Sequence, residues 1–174
     1  MSTAKVVIGL SNPKSPANVG AVLRAVGCFA ADAVFYTGER YDRAARFHTD
    51  TNNAAASVPV TRVDQLLQGA PAHASIVCIE LAEGAIPLAE YQHPERAFYL
   101  FGPEDGSLSQ ALVDRADAVV YIPTRGCLNL AATVNIVLYD RQAKARATPA
   151  GNALIRESRD SNNRVKVRQP LLHD

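Results

Sequence analysis

Three short polar clusters, far apart in the chain, contain the residues best suited to chemistry. The first is Asn18 with Arg24, spaced as Asn-x-Gly-x-x-x-Arg, and the others centre on Glu104 and Asn129. Together they supply a guanidinium fork that can bind a phosphate, a carboxylate and two amides. Each cluster follows a predicted strand, and open α/β sheets bind ligands at the carboxyl ends of their strands. The pattern indicates one assembled site and suggests an enzyme.

Each cluster taken alone also has a structural explanation. A glycine inside a helix costs about 1 kcal/mol relative to alanine, so Gly20 marks either close helix packing or close approach of a ligand near Arg24. The stretch that starts at Gly102 consists of turn formers, and Asn129 can cap a helix. Cys127 is not expected to be a nucleophile, because no histidine neighbours it in the sequence. The chain matches neither the Gly-x-Gly-x-x-Gly dinucleotide fingerprint nor a P-loop.

Short apolar segments separated by helical patterns predict the elements that must position these clusters. Five runs rich in Val, Ile, Phe and Tyr are predicted strands: Val6–Leu10, Ala33–Tyr36, Ser75–Ile79, Ala97–Phe101 and Ala118–Ile122. Helices are predicted over Pro16–Phe29 with Ser15 as N-cap, Val63–Leu67, Gln110–Arg115 and about Asn129–Ala147. Continuously apolar strands are typical of a sheet that is buried on both faces. The sequence therefore predicts an α/β fold with a mostly parallel sheet flanked by helices.

Length and composition limit the class of protein. The 174 residues are 48% hydrophobic and 20% charged, and no run of about 18 apolar residues predicts a membrane span. The start of the chain passes into a five-residue apolar run that is too short for a signal-peptide core, so we expect a cytoplasmic protein. The three cysteines lack Cys-x-x-Cys spacing and have apolar neighbours, which predicts reduced, buried thiols. No metal site is expected.

The charge is distributed unevenly along the chain. Residues 1–140 contain 10 Lys and Arg against 14 Asp and Glu, whereas residues 141–174 contain eight against three. This division predicts a main domain over residues 1–148 and a basic C-terminal extension over residues 149–174. Clustered Lys and Arg attract phosphates, so the extension is either a nucleic-acid contact or a solvated helix end with a frayed tail.

In chain order the polar clusters resemble the three motifs of the SpoU/TrmH-type RNA 2′-O-methyltransferases of the SPOUT superfamily. The matching segments are Asn-x-Gly-x-x-x-Arg at 18–24, Phe-Gly-Pro-Glu at 101–104, Ile-Pro at 122–123, and Cys-Leu-Asn-Leu-Ala at 127–131 before a long final helix. The resemblance covers about residues 6–141, most of the chain. Any one motif is weak evidence, but three in the right order at plausible separations form a strong signal.

The resemblance implies a fold, a cofactor and an assembly. It implies a C-terminal deep trefoil knot, which hydrophobic patterning could not reveal, and a homodimer built on the first and last helices. It also implies S-adenosyl-L-methionine as the cofactor, bound in the knot largely through backbone groups. The matching cofactor contacts are Glu80, Leu81, Gly102, Ile122, Cys127, Leu128 and Leu130.

The resemblance also implies roles for the polar residues. Arg24 matches the catalytic arginine, and Asn18, Glu104 and Asn129 match the polar residues that support it. Because arginine does not lose its proton in proteins, we expect Arg24 to orient the ribose 2′-hydroxyl and a neighbouring phosphate rather than to act as a base. Glu104 and Asn129 are expected to hold Arg24 and the loop geometry in place.

Two positions depart from the family pattern. The second motif commonly reads Gly-x-Glu-x-x-Gly-Leu, whereas here Ser107 separates Gly106 from Leu108. The third motif commonly begins with serine, and here Cys127 is a poorer hydrogen-bond donor. Both departures concern the shape of the cofactor loop and leave the four polar residues in place.

RNA contacts are expected from two basic segments. Arginines with interleaved aromatic residues in the stretch 40–48, and the basic extension, suit phosphate contact and base stacking. The predicted contacts are Arg40, Arg43, Arg46, Arg164, Lys166 and Arg168. A small dimer offers little surface to a large ribosomal substrate, which favours transfer RNA. The alternatives are a SPOUT-type enzyme acting on ribosomal RNA or on a base, and a catalytically silent RNA-binding dimer.

Overall fold

In the computed structural model, which describes residues 5–46, 58–148 and 150–167, seven parallel strands form one sheet. The strands are β1 (Val6–Leu10), β2 (Ala33–Tyr36), β3 (Val60–Arg62), β4 (Ser75–Ile79), β5 (Ile86–Pro87), β6 (Ala97–Phe101) and β7 (Ala118–Tyr121). Their order across the sheet is β3-β2-β1-β6-β4-β7-β5. The predicted parallel sheet is confirmed, and all five predicted strands are present, with β7 ending one residue early.

The described ranges also contain five α-helices and two 3₁₀ turns, of which α4 and α5 follow the last strand. The helices are α1 (Pro16–Cys28), α2 (Arg40–Ala45), α3 (Gln110–Val113), α4 (Leu130–Lys144) and α5 (Asn152–Ser158), and the 3₁₀ turns are Leu66–Gly69 and Leu88–Glu90. The prediction of a helix over Val63–Leu67 is wrong. The N–H of Val63 donates to the carbonyl of Tyr36 and extends the edge of the sheet, so a turn forms only from Leu66.

Two strands, β3 and β5, and two helices, α2 and α5, were missed by the sequence patterns. β3 has three residues and β5 has two, which is too short for a period-two pattern to register. Pro87 is compatible with β5 because an edge strand needs fewer N–H donors. Helix α2 occupies a stretch that was interpreted as a loop, and an ion pair between Arg43 and Glu39 one turn apart supports it.

The central strands divide the core by residue parity. On one face Ile8, Tyr99 and Phe101 pack with apolar residues of α1 and α4, whereas on the other face Phe98 and Leu100 pack with a smaller cluster. This is the alternation that a pleated strand imposes. Both faces are buried, which explains why β1 and β6 are apolar at almost every position.

Gly9 is required where β1 lies against β6. A Cβ atom at this position would lie 2.6 Å from Leu100 Cδ2 and 2.9 Å from the ring of Phe98. Because aromatic and leucine side chains fill this space, any larger residue would push two core side chains out of place. The glycine therefore allows the two central strands to share a tightly packed face.

The end of α4 is tied to the body by a buried polar network. Asp140 accepts hydrogen bonds from His93 Nε2 and Lys144 Nζ, both at 2.8 Å. The hydroxyl of Tyr99 donates to His93 Nδ1 at 2.6 Å and accepts from Arg141 Nη1 at 3.1 Å. Burial lowers the pKa of His93, so its contact with Asp140 is a hydrogen bond of a neutral imidazole. Burial likewise raises the pKa of Tyr99 to about 12, which keeps its hydroxyl protonated.

The basic residues in the last turn of α4 clamp the segment that precedes β6. Arg141 donates to the carbonyls of Pro94 and Glu95 at 2.6 and 2.7 Å. Lys144 donates to the carbonyls of Leu88 and Tyr91 at 2.6 and 3.1 Å. These contacts bind backbone carbonyls of the segment before β6 and fix the position of α4 relative to it.

The chain divides into two compact units, Met1–Lys144 and Ala145–Asp174. The first contains the sheet and α1 to α4, and the second contains α5. The charge pattern predicted either a nucleic-acid contact or a solvated helix end with a frayed tail for the second segment, and α5 was not predicted. The functional boundary between residues 148 and 149 stays a prediction. No helix in the described ranges is long and apolar enough to cross a membrane.

We expect His93→Asn to lower the free energy of unfolding by about 1–3 kcal/mol, because a shorter side chain cannot satisfy both Tyr99 and Asp140. The lowered pKa of His93 means that the unfolded chain takes up a proton at higher pH than the folded chain. Its contribution is therefore complete above about pH 6.5 and is lost as the pH falls below that value. Urea denaturation at pH 7.5 and pH 5.5 measures both effects.

His73→Asn is the matched control for this experiment. His73 is exposed and has a φ of 61°, a conformation that asparagine tolerates. Equal losses in the two variants, or an unchanged pH dependence in His93→Asn, would contradict the role of the buried network.

Candidate functional site

The three polar clusters meet at the carboxyl edge of the sheet. They follow β1, β6 and β7, which lie within one run of neighbouring strands together with β4. The first cluster begins as predicted, with Ser15 as the N-cap of α1 and Pro16 in its first turn. Ser15 Oγ accepts from the N–H of Asn18 at 3.3 Å, so Asn18 lies in the first turn of the helix.

Glu104 binds the start of α1. Its carboxylate accepts from the backbone N–H groups of Lys14 and Ser15 at 2.9 and 3.0 Å, and from Asn18 Nδ2 at 3.1 Å. A carboxylate near a helix N-terminus is favoured by the helix dipole as well as by these hydrogen bonds. The loop after β6 is thereby fixed to the loop after β1.

Asn129 links the third cluster to the first. Its Nδ2 donates to Asn18 Oδ1 at 2.9 Å, while its own Oδ1 accepts from the N–H groups of Ala131 and Ala132 at 2.9 and 3.3 Å. Asn129 therefore caps α4 and also bonds to Asn18, and its role in the site stays a prediction. Glu104, Asn18 and Asn129 form one continuous hydrogen-bonded chain, which we call the Asn18 bridge.

The Asn18 bridge keeps Glu104 ionised. Partial burial of Glu104 acts to raise its pKa, but the hydrogen bonds from Ser15 and Asn18 outweigh burial, and the pKa lies below its ordinary value. A charged carboxylate at this position accepts hydrogen bonds and cannot donate one. Its oxygens are occupied by three donors from α1 and the residues before it.

Arg24 stands apart from the bridge. It is exposed on α1, six residues after Asn18, which corresponds to about 9 Å along the helix axis. Within the described residues its side chain makes no hydrogen bond or ion pair. Glu104 and Asn129 therefore do not contact Arg24 directly in the described residues. They fix the start of the helix that carries Arg24.

Gly20 has no close neighbour in the structure. A Cβ atom built on Gly20 meets no atom within 4 Å, so the glycine does not serve packing inside this chain. Gly20 precedes Arg24 by four residues and lies on the same exposed side of α1. The structure therefore favours the other explanation of Gly20, the close approach of a ligand near Arg24.

A cleft next to the Asn18 bridge contains every residue that was predicted to contact a cofactor. These are Glu80, Leu81, Gly102, Ile122, Cys127, Leu128 and Leu130. Glu104 also lines this cleft, so it belongs to both the cleft and the bridge. The sequence analysis missed seven further lining residues, Ile79, Phe101, Pro103, Gly106, Tyr121, Thr124 and Thr133. Most of them adjoin predicted residues, so the strand ends would have identified them.

The floor of the cleft is a loop folded back on β4. Glu80 accepts from the N–H of Leu108 at 2.8 Å and from the N–H of Leu81 at 3.0 Å. A Cβ atom on Gly102 would lie 3.1 Å from the nitrogen of Leu108 and 3.4 Å from Glu80 Oε2, so glycine permits this close return of the chain. Leu108 is buried. The loop thus closes despite the departure at Ser107, which is exposed.

The walls of the cleft combine apolar surface with free backbone donors. Leu81 and Leu128 are large apolar side chains that remain 56% and 40% exposed. In the described part of the chain, the backbone N–H groups of Cys127 and Leu128 donate to no protein acceptor. Thr124 Oγ1 donates to the carbonyl of Gly126 at 2.7 Å and stabilises the turn. These features suit a ligand with a flat apolar part and several polar acceptors.

The predicted RNA-binding arginines near α2 have different environments. Arg40 Nη1 contacts both carboxylate oxygens of Asp105, at 2.9 and 2.8 Å, and its Nη2 donates to the carbonyl of Asn12 at 2.6 Å. Arg40 therefore joins α2 to the loop that carries Glu104, and its role as an RNA contact stays a prediction. Arg43 is highly exposed in its pair with Glu39, and Arg46 is exposed.

In the C-terminal unit Arg164 and Lys166 are exposed, whereas Arg168 lies outside the described residues. The prediction that all three cysteines are buried is correct only for Cys78, whose pKa is raised to about 11 by burial. Cys28 and Cys127 are exposed, because one ends a surface helix and the other lies in the cleft loop. Among the described residues, no group of three or more His, Cys, Asp or Glu side chains is arranged to hold a metal ion.

The parallel sheet and the cleft at its carboxyl edge define the protein as an α/β protein with a ligand site at the ends of its central strands. The model of the SpoU rRNA Methylase family matches residues 5–139. The chain belongs to this family, as the motifs predicted.

Solved structures show the same fold. A TrmH/SpoU tRNA modifying enzyme of A. aeolicus aligns with a TM-score of 0.66 and 20% identity, over 82% of this chain and 76% of that chain. An AdoMet-bound rRNA methyltransferase of Sinorhizobium meliloti aligns with a TM-score of 0.67 and 21% identity, over 82% of this chain and 57% of that chain. A structure described for 2-OH methylation of C/U34 on tRNA aligns with a TM-score of 0.65 and 22% identity, over 83% and 92%.

Among curated proteins, an uncharacterized tRNA/rRNA methyltransferase of Mycolicibacterium smegmatis is 29% identical over 150 residues. The match covers 82% of this chain and 48% of that protein. The chain thus spans about half the length of the curated relatives it matches.

We expect Glu104→Gln to lower the free energy of unfolding by about 1–3 kcal/mol at pH 7, because an amide places an NH₂ donor against the N–H groups that the carboxylate accepts. The pKa of Glu104 is lowered in the folded state, so its contribution is present above about pH 4.3 and is lost as the pH falls further. The difference between wild type and variant should therefore shrink at acidic pH in urea titrations.

Glu83→Gln provides the control, since Glu83 is exposed and has no hydrogen-bond partner in the described ranges. A Glu104→Gln variant as stable as Glu83→Gln at pH 7 would show that the Asn18 bridge does not depend on the negative charge of Glu104.

Proposed function

We propose that the chain is an S-adenosyl-L-methionine-dependent RNA methyltransferase that acts on a ribose 2′-hydroxyl, with transfer RNA as the favoured substrate. The observation that carries the proposal is the junction at Glu104, which lines the cleft and also anchors the Asn18 bridge. A cofactor site and the helix that carries Arg24 are thereby held in one rigid unit. Membership of the SpoU family supports the same reaction.

The residues of the cleft fit the cofactor. Leu81 and Leu128 offer apolar surface to an adenine ring, and the N–H groups of Cys127 and Leu128 offer hydrogen bonds to its polar atoms. Gly102 and Ile122 bring main chain to the wall of the cleft. When bound, S-adenosyl-L-methionine supplies an activated methyl group. The chain contributes its binding, its orientation and the exclusion of water.

Arg24 is the proposed catalytic residue. Methyl transfer to a hydroxyl requires an in-line approach and loss of the hydroxyl proton, which the adjacent phosphate or solvent water accepts. A guanidinium fork can bind the 2′-hydroxyl and an adjacent phosphate together, which fixes the direction of attack. The freedom of Arg24 from partners in its own chain leaves the fork available for this role. Asn18, Glu104 and Asn129 act as positioning residues through α1.

We propose a homodimer through the outer faces of α1 and α4. On α1 the exposed residues next to Arg24 are small, including Ala17, Gly20 and Ala21, and they would let another helix approach closely. On α4 Ile136 and Tyr139 are large side chains that remain 37% and 63% exposed. An interface there would cover both surfaces and bring Arg24 close to the cofactor cleft of the second copy.

A deep trefoil knot is part of the proposal. The strand order places β6 between β1 and β4 and places β7 beyond β4, whereas α4 returns to pack on α1. The chain after β7 must therefore cross back over the neighbouring strands. This crossing is the arrangement that a knot around the cofactor loop requires.

The substrate proposal rests on the names of relatives. The structure described for 2-OH methylation of C/U34 on tRNA matches this fold over 92% of its own chain. Curated relatives are named tRNA/rRNA methyltransferases, so ribosomal RNA is the alternative. Arg43, Arg46, Arg164, Lys166 and Arg168 are the proposed RNA contacts. A cytoplasmic location follows from such a substrate.

The direct test is mass spectrometry of nucleosides from total RNA of cells with and without the gene. We expect one 2′-O-methylated nucleoside to disappear from the transfer RNA fraction and to return when purified protein and S-adenosyl-L-methionine are added. An unchanged 2′-O-methyl profile, or a change confined to a methylated base, would reject the proposal. Loss from ribosomal RNA instead would reassign the substrate.

We expect Arg24→Lys to lower kcat for methyl transfer by about a hundredfold, because an ammonium cannot provide two parallel hydrogen bonds. Calorimetric affinity for S-adenosyl-L-methionine should stay unchanged. Arg115→Lys is the control, since Arg115 is exposed and lies on the amino side of β7, at the opposite edge of the sheet. Turnover near wild type in Arg24→Lys would remove Arg24 from the reaction.

A further inference from the structure

A hollow in the C-terminal unit is lined by four cationic side chains. Arg156 and Arg159 come from α5 and its end, and Arg164 and Lys166 come from the segment that follows. The remaining lining residues are Asp160, Ser161 and Asn163. We call the four cations the tail cluster. All of them lie in the Ala145–Asp174 unit, so the hollow is formed within that unit.

Local structure explains why the four cations converge. Arg156 and Arg159 are three residues apart and share one side of the helix. Arg164 and Lys166 are two residues apart in the segment after α5, and both line the hollow. Val165 and Val167 do not line it and are 83% and 81% exposed.

A turn brings the two pairs of cations together. The N–H of Asn163 donates to the carbonyl of Asp160 at 2.9 Å, and the N–H of Asn162 donates to Asp160 Oδ1 at 2.8 Å. Asn163 Oδ1 in turn accepts from the N–H of Val165 at 3.0 Å. These bonds reverse the chain between α5 and the segment that follows. None of them involves a side chain of the four cations, so the turn would remain when those side chains are replaced.

The charges of the tail cluster are not balanced within the described residues. None of the four side chains makes an ion pair or hydrogen bond there, and Asp160, the acidic residue that lines the hollow, already accepts from Asn162. Four like charges around one hollow repel each other, and an anion with several oxygens would relieve that repulsion. Arginine and lysine bind phosphate oxygens in this way.

We propose that the tail cluster binds the phosphodiester backbone of the RNA substrate, an inference that rests on the function proposed above. Residues 1–140 have more acidic than basic side chains, 14 against 10, so that part of the chain offers RNA no net attraction. The tail cluster supplies an attraction that is independent of sequence and strongly dependent on salt. Arg156 and Arg159 thereby join Arg164 and Lys166 in a single site.

The test is a salt titration of RNA affinity with the full chain. Binding of unfractionated transfer RNA is measured by fluorescence anisotropy at increasing KCl for wild type, Arg156→Gln/Arg159→Gln and Arg164→Gln/Lys166→Gln. Each double variant removes two phosphate contacts. We therefore expect each one to bind more weakly and to reduce the slope of log affinity against log salt by about 1.5. Thermal melting checks that the variants are folded.

Lys5→Gln/Arg115→Gln is the charge-matched control, because both residues are exposed and lie before the amino ends of strands in the other unit. It should keep the wild-type slope. A normal slope in Arg156→Gln/Arg159→Gln would overturn the single site even if Arg164→Gln/Lys166→Gln were affected, since a frayed basic tail would behave in that way.

Methyl transfer, measured in parallel, separates this inference from the proposed function. Reduced slopes in the double variants, together with a wild type that binds RNA but transfers no methyl group, would support the tail cluster and reject the enzyme. Normal slopes in the double variants, together with an active wild type, would reject the tail cluster and support the enzyme. A wild type that binds no RNA would reject both.

Discussion

The carboxylate of Glu104 joins parts of the chain that are distant in sequence, and the site depends on that junction. Its partner Lys14 lies 90 residues earlier, and Asn18 extends the connection to Asn129 at the start of α4. The parallel order of β1, β6, β4 and β7 makes the junction possible, because their carboxyl ends lie at one edge. The charge of the Glu104 carboxylate and its hydrogen bonds make this junction rigid. This junction fixes the position of the helix that carries Arg24 relative to the loop after β6.

Helix α4 is fixed at both ends by different means. Asn129 caps its first turn, and the network of His93, Arg141 and Lys144 binds its last turn to the segment before β6. The middle of the helix is held by apolar packing against the sheet and α1. Because both ends of α4 are bound to the rest of the domain, the exposed side of the helix, which includes Tyr139, is a stable surface. Such a surface suits association better than a mobile helix does, because little conformational entropy is lost on contact.

The sequence predicted the parts of this structure that local pattern determines. The five long strands are apolar because both faces are buried, and Ser15 with Pro16 is a local signal for the start of a helix. The edge strands β3 and β5 were missed because two or three residues do not make a pattern. Family motifs identified the cleft residues, but the partners of Glu104 and Arg40 depend on which loops the fold brings together. Those pairings could not be predicted from spacing, nor could the buried contacts of His93.

The distribution of hydrogen bonds separates the roles of the polar residues. Asn18, Glu104 and Asn129 are hydrogen-bonded to one another and to backbone N–H groups, so their geometry is fixed. Arg24 has donors and no partner within the described residues, and Gly20 leaves open space beside it. A group that must bind an incoming hydroxyl and phosphate has to be unsatisfied beforehand, whereas a group that positions it has to be satisfied. A helix held at its start by a charged carboxylate, with a free guanidinium farther along an open face, meets both requirements.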